Sequence, residues 1–269
     1  MSRVAIIGAG VMGETLLAGL LRAGWAPESL IAADRREQRR LEVGRLHGVA
    51  VASNAEAAAE ADTIVLVVKP QDVAELLPEI ASTMAPGTLV VSLCAGITIA
   101  QLEADLPAGT PVVRVMPNTP AQVGEGMAAL SPGSHASQEH LAHASDILTA
   151  VGRAVVVPER YQDAVTAVSG SGPAYIFYVV EAMIDAGVML GLPRDITTQL
   201  VVQTMYGSAK LLLESGEHPA LLRERVTSPG GTTAAALRQL EDHRVKAAFM
   251  TALEAARDRS KALSKPVDK

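Results

Sequence analysis

The chain has 269 residues, of which 49% are hydrophobic and 19% charged, and its formal net charge is −6. This composition supports a packed core, excludes a disordered chain and argues against a nucleic-acid partner. A single cysteine, Cys94, excludes an internal disulfide and a cysteine-cluster metal site. No apolar run reaches the roughly 18 residues of a membrane helix, and no signal-peptide pattern opens the chain. We therefore expect a cytoplasmic protein with no membrane partner.

The first half of the chain alternates apolar strands with helical segments. Strands are predicted at residues 3–7, 30–33, 63–68, 88–93 and 111–115, with 127–130 and 154–157 as extensions of the sheet. Helices are predicted at residues 14–23, 36–46, 56–61, 73–84 and 99–106. The run TIVLVV at 63–68 has no polar face, which is typical of a parallel strand covered on both sides. The alternation predicts a doubly wound α/β sheet.

The second half is helical throughout. Helices are predicted at residues 174–190, 196–214, 232–241 and 245–263. The first of them carries only two charges, Glu181 and Asp185, so we expect it to be buried, with a second subunit covering one side. We predict an α/β domain at residues 1–158, an all-α dimerisation domain at residues 159–269, and a homodimer at minimum.

A glycine-rich turn follows the first strand. The sequence VAIIGAGVMG places Gly8, Gly10 and Gly13 in G-x-G-x-x-G spacing between a strand and a helix. That spacing allows a tight turn, close approach of a pyrophosphate and close packing of helix on sheet. The phosphates would lie on free N–H groups at the helix start, where Val11 and Met12 stand. The turn predicts a Rossmann-type dinucleotide-binding domain; the alternative is an ordinary glycine-rich turn.

The end of the second strand bears on the choice of cofactor. Asp34 stands where an acid usually holds the adenosine ribose. Arg35 and Arg36 follow at once, with Arg39 and Arg40 one turn later, and guanidinium groups there suit a 2′-phosphate. We predict NADPH as the cofactor and leave NADH open. A solvated basic helix start is the alternative.

Other residues end strand segments on the same carboxyl edge of the sheet, where ligands of open α/β sheets bind. They are Asn54, Lys69, Pro70, Ala95 and Gly96. Lys69 follows a fully buried strand, which favours a dinucleotide-facing role over a plain surface lysine.

A second glycine turn precedes a helix in the segment VTSPGGTTAAALRQLE. Ser228, Gly230 and Gly231 form the turn, and Thr232 or Thr233 is expected to cap the helix. Several backbone N–H groups would then face one way and form a small anion site. Because the segment lacks the lysine of a P-loop, a carboxylate fits better than a nucleoside triphosphate. The alternative is a capped helix without a ligand.

These motifs resemble a known family. The stretches GSGPAY and HPALLRERVTSPGGTTAAALRQLE are similar to the signature of the pyrroline-5-carboxylate reductases. The resemblance extends over the whole chain through AIIGAGVMG, VVKP, AGITI and RVMPNTP. It implies reduction of 1-pyrroline-5-carboxylate to L-proline, the last step of proline biosynthesis, with hydride from a nicotinamide cofactor. Members are dimers, often assembled further into decamers of five dimers.

The resemblance also implies roles for individual residues. The substrate carboxylate would be held by Ser228, Gly230, Gly231, Thr232 and Thr233. Thr233 would act catalytically by placing its hydroxyl near the ring nitrogen, and Glu159 would lie near the bound amino acid. Asn54 would contact the adenosine side of the cofactor. The nicotinamide side would be lined by Val68, Lys69, Pro70, Ala95, Gly96 and Asn118.

The chemistry agrees with that family. An imine nitrogen is more basic than a ketone oxygen, so the site needs positioning more than a strong general acid. No histidine lies in a glycine motif and no metal-ligand spacing occurs, so we expect no metal. A β-hydroxy-acid dehydrogenase is a poor alternative because no asparagine follows Asn118. A deazaflavin-dependent NADP reductase and a non-catalytic NAD-sensing protein remain as alternatives.

Overall fold

A computed structural model describes residues 3–264 and contains an eight-stranded sheet. The strands are β1 (Val4–Ile7), β2 (Leu30–Ala33), β3 (Ala50–Ala52), β4 (Thr63–Leu66), β5 (Leu89–Ser92), β6 (Val112–Met116), β7 (Gly126–Pro132) and β8 (Gly152–Val156). Their order is β3-β2-β1-β4-β5-β6-β7-β8, with every neighbouring pair parallel except β6 and β7. The order reverses at β1, which pairs with both β2 and β4, and this creates a crevice at the carboxyl ends of β1 and β4.

The helices fall into two groups along the chain. Those of the first group are α1 (Val11–Arg22), α2 (Glu37–His47), α3 (Asn54–Glu60), α4 (Val73–Ala81), α5 (Ile99–Asp105), α6 (Gln138–Thr149) and α7 (Gln162–Val165). Those of the second are α8 (Gly172–Met189), α9 (Arg194–Ser215), α10 (Pro219–Arg225), α11 (Thr232–Asp242) and α12 (Val245–Leu263). The predicted order of a doubly wound α/β region followed by an all-α region is confirmed.

The chain divides into two compact units. The first unit runs to Ser171 and resumes at Ala256, within α12, and the second unit is Gly172–Ala255. The domain boundary after residue 158 stays a prediction of the sequence.

The core of the first unit lies on both faces of the sheet. Alternate residues of β1 point to opposite faces: Val4 and Ile6 belong to one buried apolar cluster, and Ala5 and Ile7 to another. Helices therefore cover both sides, which explains why β1, β2, β4 and β5 are buried at every position and apolar at all but Thr63 and Ser92. This packing holds the glycine turn and the ends of the neighbouring strands in fixed positions.

The second unit leaves large apolar side chains exposed. In α8 the buried residue is Gly187, whereas Phe177, Tyr178 and Met189 are 66%, 73% and 81% exposed. In the single chain this helix is exposed, because the helices of the second unit do not enclose it on their own; the expected cover from a second subunit stays a prediction. In α9, Leu200 is also half exposed.

The segment Glu159–Met189 is long enough and apolar enough to cross a membrane, judged by length and hydropathy alone. The sequence itself predicts no apolar run of membrane-helix length. The segment is longer than any single predicted helix because the helical conformation continues from α7 through a π-helical turn (Thr166–Gly170) into α8. Only 6% of its most apolar window is buried. Core helices of water-soluble proteins pass the same test of length and composition.

Candidate active site

The glycine turn joins β1 to α1. Gly8 has a φ of +107°, a conformation that side chains rarely adopt. A Cβ atom on Gly13 would overlap the carbonyl oxygen of Gly8, so these two residues pack directly on each other. By contrast, a Cβ atom on Gly10 would meet no atom within 4 Å. Gly10 is the N-cap of α1 and no side chain caps this end, so the first N–H groups of the helix are available to an anion.

A cavity of about 370 Å³ opens beside this turn. It brings together many of the predicted cofactor residues, namely Gly8, Gly10, Arg35, Arg36, Asn54, Val68 and Lys69. The Oδ1 atom of Asn54 is buried without a hydrogen-bond partner, while its Nδ2 donates to Glu79 at 3.3 Å. A buried acceptor without a donor is costly, so this atom fits a ligand hydroxyl. The open turn and the unpaired acceptor together fit a dinucleotide.

Asp34 at the end of β2 is buried and already bonded. Its carboxylate accepts from the Ala9 N–H at 3.1 Å and from the Arg36 backbone N–H and Nε at 2.9 and 3.0 Å. Burial raises the pKa of Asp34, but the hydrogen bonds from Arg36 and Ala9 outweigh it and hold that pKa below its ordinary value. The carboxylate is thus charged, and its oxygens already accept hydrogen bonds from Ala9 and Arg36.

The cavity also has an acidic wall that sequence reasoning missed. It is formed by Asp72, Glu75 and Glu79, at or just before α4. Arg35 Nη1 donates to Asp72 Oδ1 at 3.3 Å, and the side chain of Arg35 is 69% exposed. The signal in the sequence was the segment KPQDVAELLPE, directly after β4 on the carboxyl edge.

The remaining predicted cofactor residues lie outside this cavity. Val11 is exposed at the start of α1, and Met12 lines a second, much smaller cavity with Asn118. The amide of Asn118 is used within the protein: Oδ1 accepts from the Met127 N–H at 2.8 Å, and Nδ2 donates to Ser169 at 3.3 Å. Pro70, Ala95 and Gly96 follow β4 and β5 without lining a described cavity. Their roles toward a cofactor stay predictions.

Glu159 is held by two elements of the first unit. Its Oε1 accepts from the Ile99 N–H, at the start of α5, at 2.7 Å and from Arg114 Nη1 at 2.9 Å. Arg114 lies in β6 with its side chain only 8% exposed, and Glu159 is 33% exposed. Sequence reasoning named Glu159 but assigned nothing to Arg114. The pair fixes the carboxylate, and the predicted contact with substrate stays a prediction.

The second glycine turn opens α11. Gly230 has a φ of +68°, and the Gly231 N–H donates to the Ser228 carbonyl at 3.0 Å. Gly231 is the N-cap, and no side chain caps the helix. The expectation that Thr232 or Thr233 caps α11 is therefore wrong: they are its first two residues. The helix start keeps its unpaired N–H groups, which can bind an anion.

Within residues 3–264, no cluster of three or more His, Cys, Asp or Glu side chains is arranged to hold a metal ion. Cys94 is buried, and burial raises the pKa of its thiol, so it is neutral at ordinary pH.

Comparisons with known proteins bear on both halves of the chain. The family model for pyrroline-5-carboxylate reductase dimerisation matches residues 159–263, and the model for coenzyme F420-dependent NADP oxidoreductase matches residues 3–96. A pyrroline-5-carboxylate reductase of Corynebacterium melassecola is 44% identical over 269 residues, covering 98% of this chain and 100% of that protein. One of Mycobacterium tuberculosis is 46% identical over 286 residues, covering 98% and 97%.

Solved structures give the same result. A pyrroline-5-carboxylate reductase from Coxiella burnetii matches with a TM-score of 0.94 at 35% identity, over 98% of this chain and 99% of that one. Plasmodium falciparum pyrroline carboxylate reductase with NADP bound matches with a TM-score of 0.86 at 32% identity, over 98% of both chains. These likenesses span nearly the whole chain, whereas the F420-dependent model matches residues 3–96 alone.

Proposed function

The chain belongs to the pyrroline-5-carboxylate reductase family, and we propose that it reduces 1-pyrroline-5-carboxylate to L-proline with NADPH, accepting NADH as a second donor. The observation that carries this proposal is the full-length likeness to reductases of that activity, which includes both glycine turns. When bound, the cofactor supplies a hydride to the imine carbon.

The first unit supplies the cofactor site. Gly8, Gly10 and Gly13 shape the turn, and the N–H groups around Val11 and Met12 bind the pyrophosphate. Asn54 Oδ1 accepts a hydrogen bond from a hydroxyl on the adenosine side of the cofactor. Arg35 and Arg36 bind the 2′-phosphate. The nicotinamide side is assigned to a set carried over from the family: Val68, Lys69, Pro70, Ala95, Gly96 and Asn118.

The second unit supplies the carboxylate site. The turn of Ser228, Gly230 and Gly231 leaves the first N–H groups of α11 free, and we assign the substrate carboxylate to them. The Thr232 N–H belongs to this set. Because the Thr233 hydroxyl caps no helix, it is available to bond the ring nitrogen. Glu159 belongs to the first unit, where Arg114 holds its carboxylate; its assignment to the amino-acid end of the substrate is carried over from the family.

This arrangement matches the reaction. Reduction of the imine requires that the site binds the substrate carboxylate and orients the ring nitrogen. It does not require a strong acid, because the nitrogen takes up a proton readily near neutral pH. Thr233 then acts by orientation and by one hydrogen bond.

We propose that two copies associate through the second unit. Phe177, Tyr178 and Met189 are all exposed on α8, and large apolar side chains left exposed together on one helix are typical of an interaction site. The family match at residues 159–263 is to a dimerisation domain. Assembly of five dimers into a decamer, the absence of a membrane partner and a cytoplasmic location are further predictions from the resemblance and composition.

The experiment is a kinetic assay on the purified chain. Loss of nicotinamide absorbance is followed with pyrroline-5-carboxylate, with NADPH and NADH in parallel. We expect substrate-dependent oxidation of NADPH and formation of proline. The Gly10→Val variant is the control: nothing in the protein fills the space beside Gly10, so the fold should persist while cofactor affinity falls at least about tenfold. A parent chain that binds NADPH yet never oxidises it with this substrate would contradict the proposal and favour an NAD-sensing protein.

A further inference from the structure

The peptide groups of Ala9 are held from both sides. Ala9 lies between Gly8 and Gly10 and is buried. Its N–H donates to Asp34 Oδ2 at 3.1 Å, and its carbonyl oxygen accepts from Arg39 Nε at 2.7 Å. A turn that must aim free N–H groups at a phosphate gains from being fixed before the ligand arrives.

Arg39 is itself held in place. Its Nη1 donates to Glu42 at 2.8 Å and its Nη2 donates to Glu14. The other oxygen of Glu14 lies 3.1 Å from His47 Nε2. The side chains of Arg39, Glu14 and His47 are 20%, 26% and 15% exposed, so these three are mostly shielded from water, whereas Glu42 is 63% exposed. Arg39 therefore reaches the Ala9 carbonyl with little freedom of its own.

Glu14 places a negative charge close to the proposed pyrophosphate site. It stands in the first turn of α1, the helix whose start faces the proposed pyrophosphate. The hydrogen bond from His47 is the largest cause that holds the pKa of Glu14 below its ordinary value, so the carboxylate is charged near neutral pH. A negative charge there opposes a bound phosphate unless a cation pairs with it. Arg39 provides that cation.

We propose that Arg39 is a positioning residue for the pyrophosphate-binding turn, which it holds through the Ala9 carbonyl. Arg35 and Arg36 line the cavity, whereas the donors of Arg39 are engaged with the turn, with Glu14 of α1 and with Glu42 of its own helix. This differs from the expectation that Arg39 joins them at the 2′-phosphate. The inference rests on the proposed dinucleotide site and adds a residue to it.

Binding of cofactor fragments tests this inference. ADP-ribose carries the pyrophosphate without nicotinamide or 2′-phosphate, and adenosine 2′-monophosphate carries the 2′-phosphate without pyrophosphate. Calorimetry should show that Arg39→Met weakens the binding of ADP-ribose, NADH and NADPH by the same factor. We expect roughly a three- to tenfold loss of affinity, which corresponds to one net hydrogen bond. Adenosine 2′-monophosphate should bind as it does to the parent. Arg45→Met, which removes an exposed guanidinium from the same helix, is the matched control.

Two outcomes would overturn the inference. One is a folded Arg39→Met variant that binds ADP-ribose like the parent. The other is an equal loss for adenosine 2′-monophosphate, which would place Arg39 at the 2′-phosphate. If the parent itself binds no dinucleotide, the proposed function fails instead, so the two failures are distinguishable.

A double variant distinguishes two roles of Arg39: holding the Ala9 carbonyl and neutralising the charge of Glu14. Glu14→Gln combined with Arg39→Met removes the carboxylate that needs a cation but leaves the Ala9 carbonyl unheld. We expect the weaker binding of ADP-ribose to remain, and amide hydrogen exchange across residues 8–13 to be faster than in the parent without ligand. Full recovery of ADP-ribose binding, with parental exchange, would mean that Arg39 only neutralises Glu14 and would overturn the positioning role.

Discussion

The two units of this chain differ in how far they bury their large apolar side chains. In the first unit, the leucine, isoleucine and valine side chains of β1, β2, β4 and β5 are buried between sheet and helices, and Leu20 of α1 is 0% exposed. In the second unit, Phe177 is 66% exposed and Met189 is 81% exposed. A sheet with two covered faces completes its own core, whereas these helices need a surface from outside the unit. The first unit therefore encloses its own core, whereas the second exposes apolar side chains that the proposed association would cover.

The largest effect is expected in the core of the first unit. Leu20→Ala removes a fully buried side chain and leaves a cavity, which should lower the free energy of unfolding by about 2–5 kcal/mol. Urea denaturation measures it. Leu46→Ala, on the exposed side of α2, is the matched control and should change stability by less than about 0.5 kcal/mol. Equal effects of the two substitutions would refute the contrast between core and surface.

The core was predictable from the sequence because burial on both faces leaves unbroken apolar runs. The sequence predicts β1, β2, β4 and β5, and it predicts β4 on this ground in particular, from the run TIVLVV at residues 63–68. β3 was missed because Ala50–Ala52 is short and only partly buried, and α6 because its start at Gln138 is polar. An apolar composition predicts that α8 is covered but does not say by which residues, and in the single chain the helix is exposed.

The site was predictable where glycine spacing dictates backbone shape. Gly8 and Gly10 needed only local sequence, but the pairing of Arg114 with Glu159 joins residues 45 positions apart. The cap of α11 was misread because Gly231, Thr232 and Thr233 are all acceptable N-cap residues. Only the observed backbone chooses between them.

The next effect concerns the exposed face of the second unit. Phe177→Asp places a carboxylate on a surface proposed to be covered by a second copy, where an unpaired charge is costly. The dissociation constant of the dimer should rise about 100-fold or more, or about 2.7 kcal/mol. Sedimentation velocity measures it. NADPH binding, which belongs to the first unit, should persist while reductase activity falls; a dimer as tight as the parent's would contradict the assigned face.

A smaller effect tests the carboxylate site. Thr233→Ala removes one hydroxyl proposed to bond the ring nitrogen, so kcat/KM should fall roughly 5- to 150-fold, equivalent to about 1–3 kcal/mol. Stability should not change, because Thr233 caps no helix. Thr233→Ser should recover most of the activity. Full activity of a folded Thr233→Ala variant would leave substrate binding to the backbone N–H groups alone.

The smallest effect distinguishes the two cofactors. Replacing Arg35 and Arg36 together by alanine should raise KM for NADPH about fivefold or more relative to KM for NADH, because both side chains are exposed in the cavity and exposed charge pairs are weak. Parallel kinetics with the two cofactors measure the ratio. If both KM values rise equally, these arginines form a solvated surface and do not select the cofactor.

The mass of the particle in solution tests the difference between the two units most directly. Light scattering on the purified chain, without cofactor, is measured at micromolar concentration. The association proposed for the second unit predicts a particle at least twice the 28.0 kDa of one chain, so at least 56 kDa. A folded, active particle of 28.0 kDa would contradict it, because the exposed apolar face of α8 would then be stable in water without a second copy.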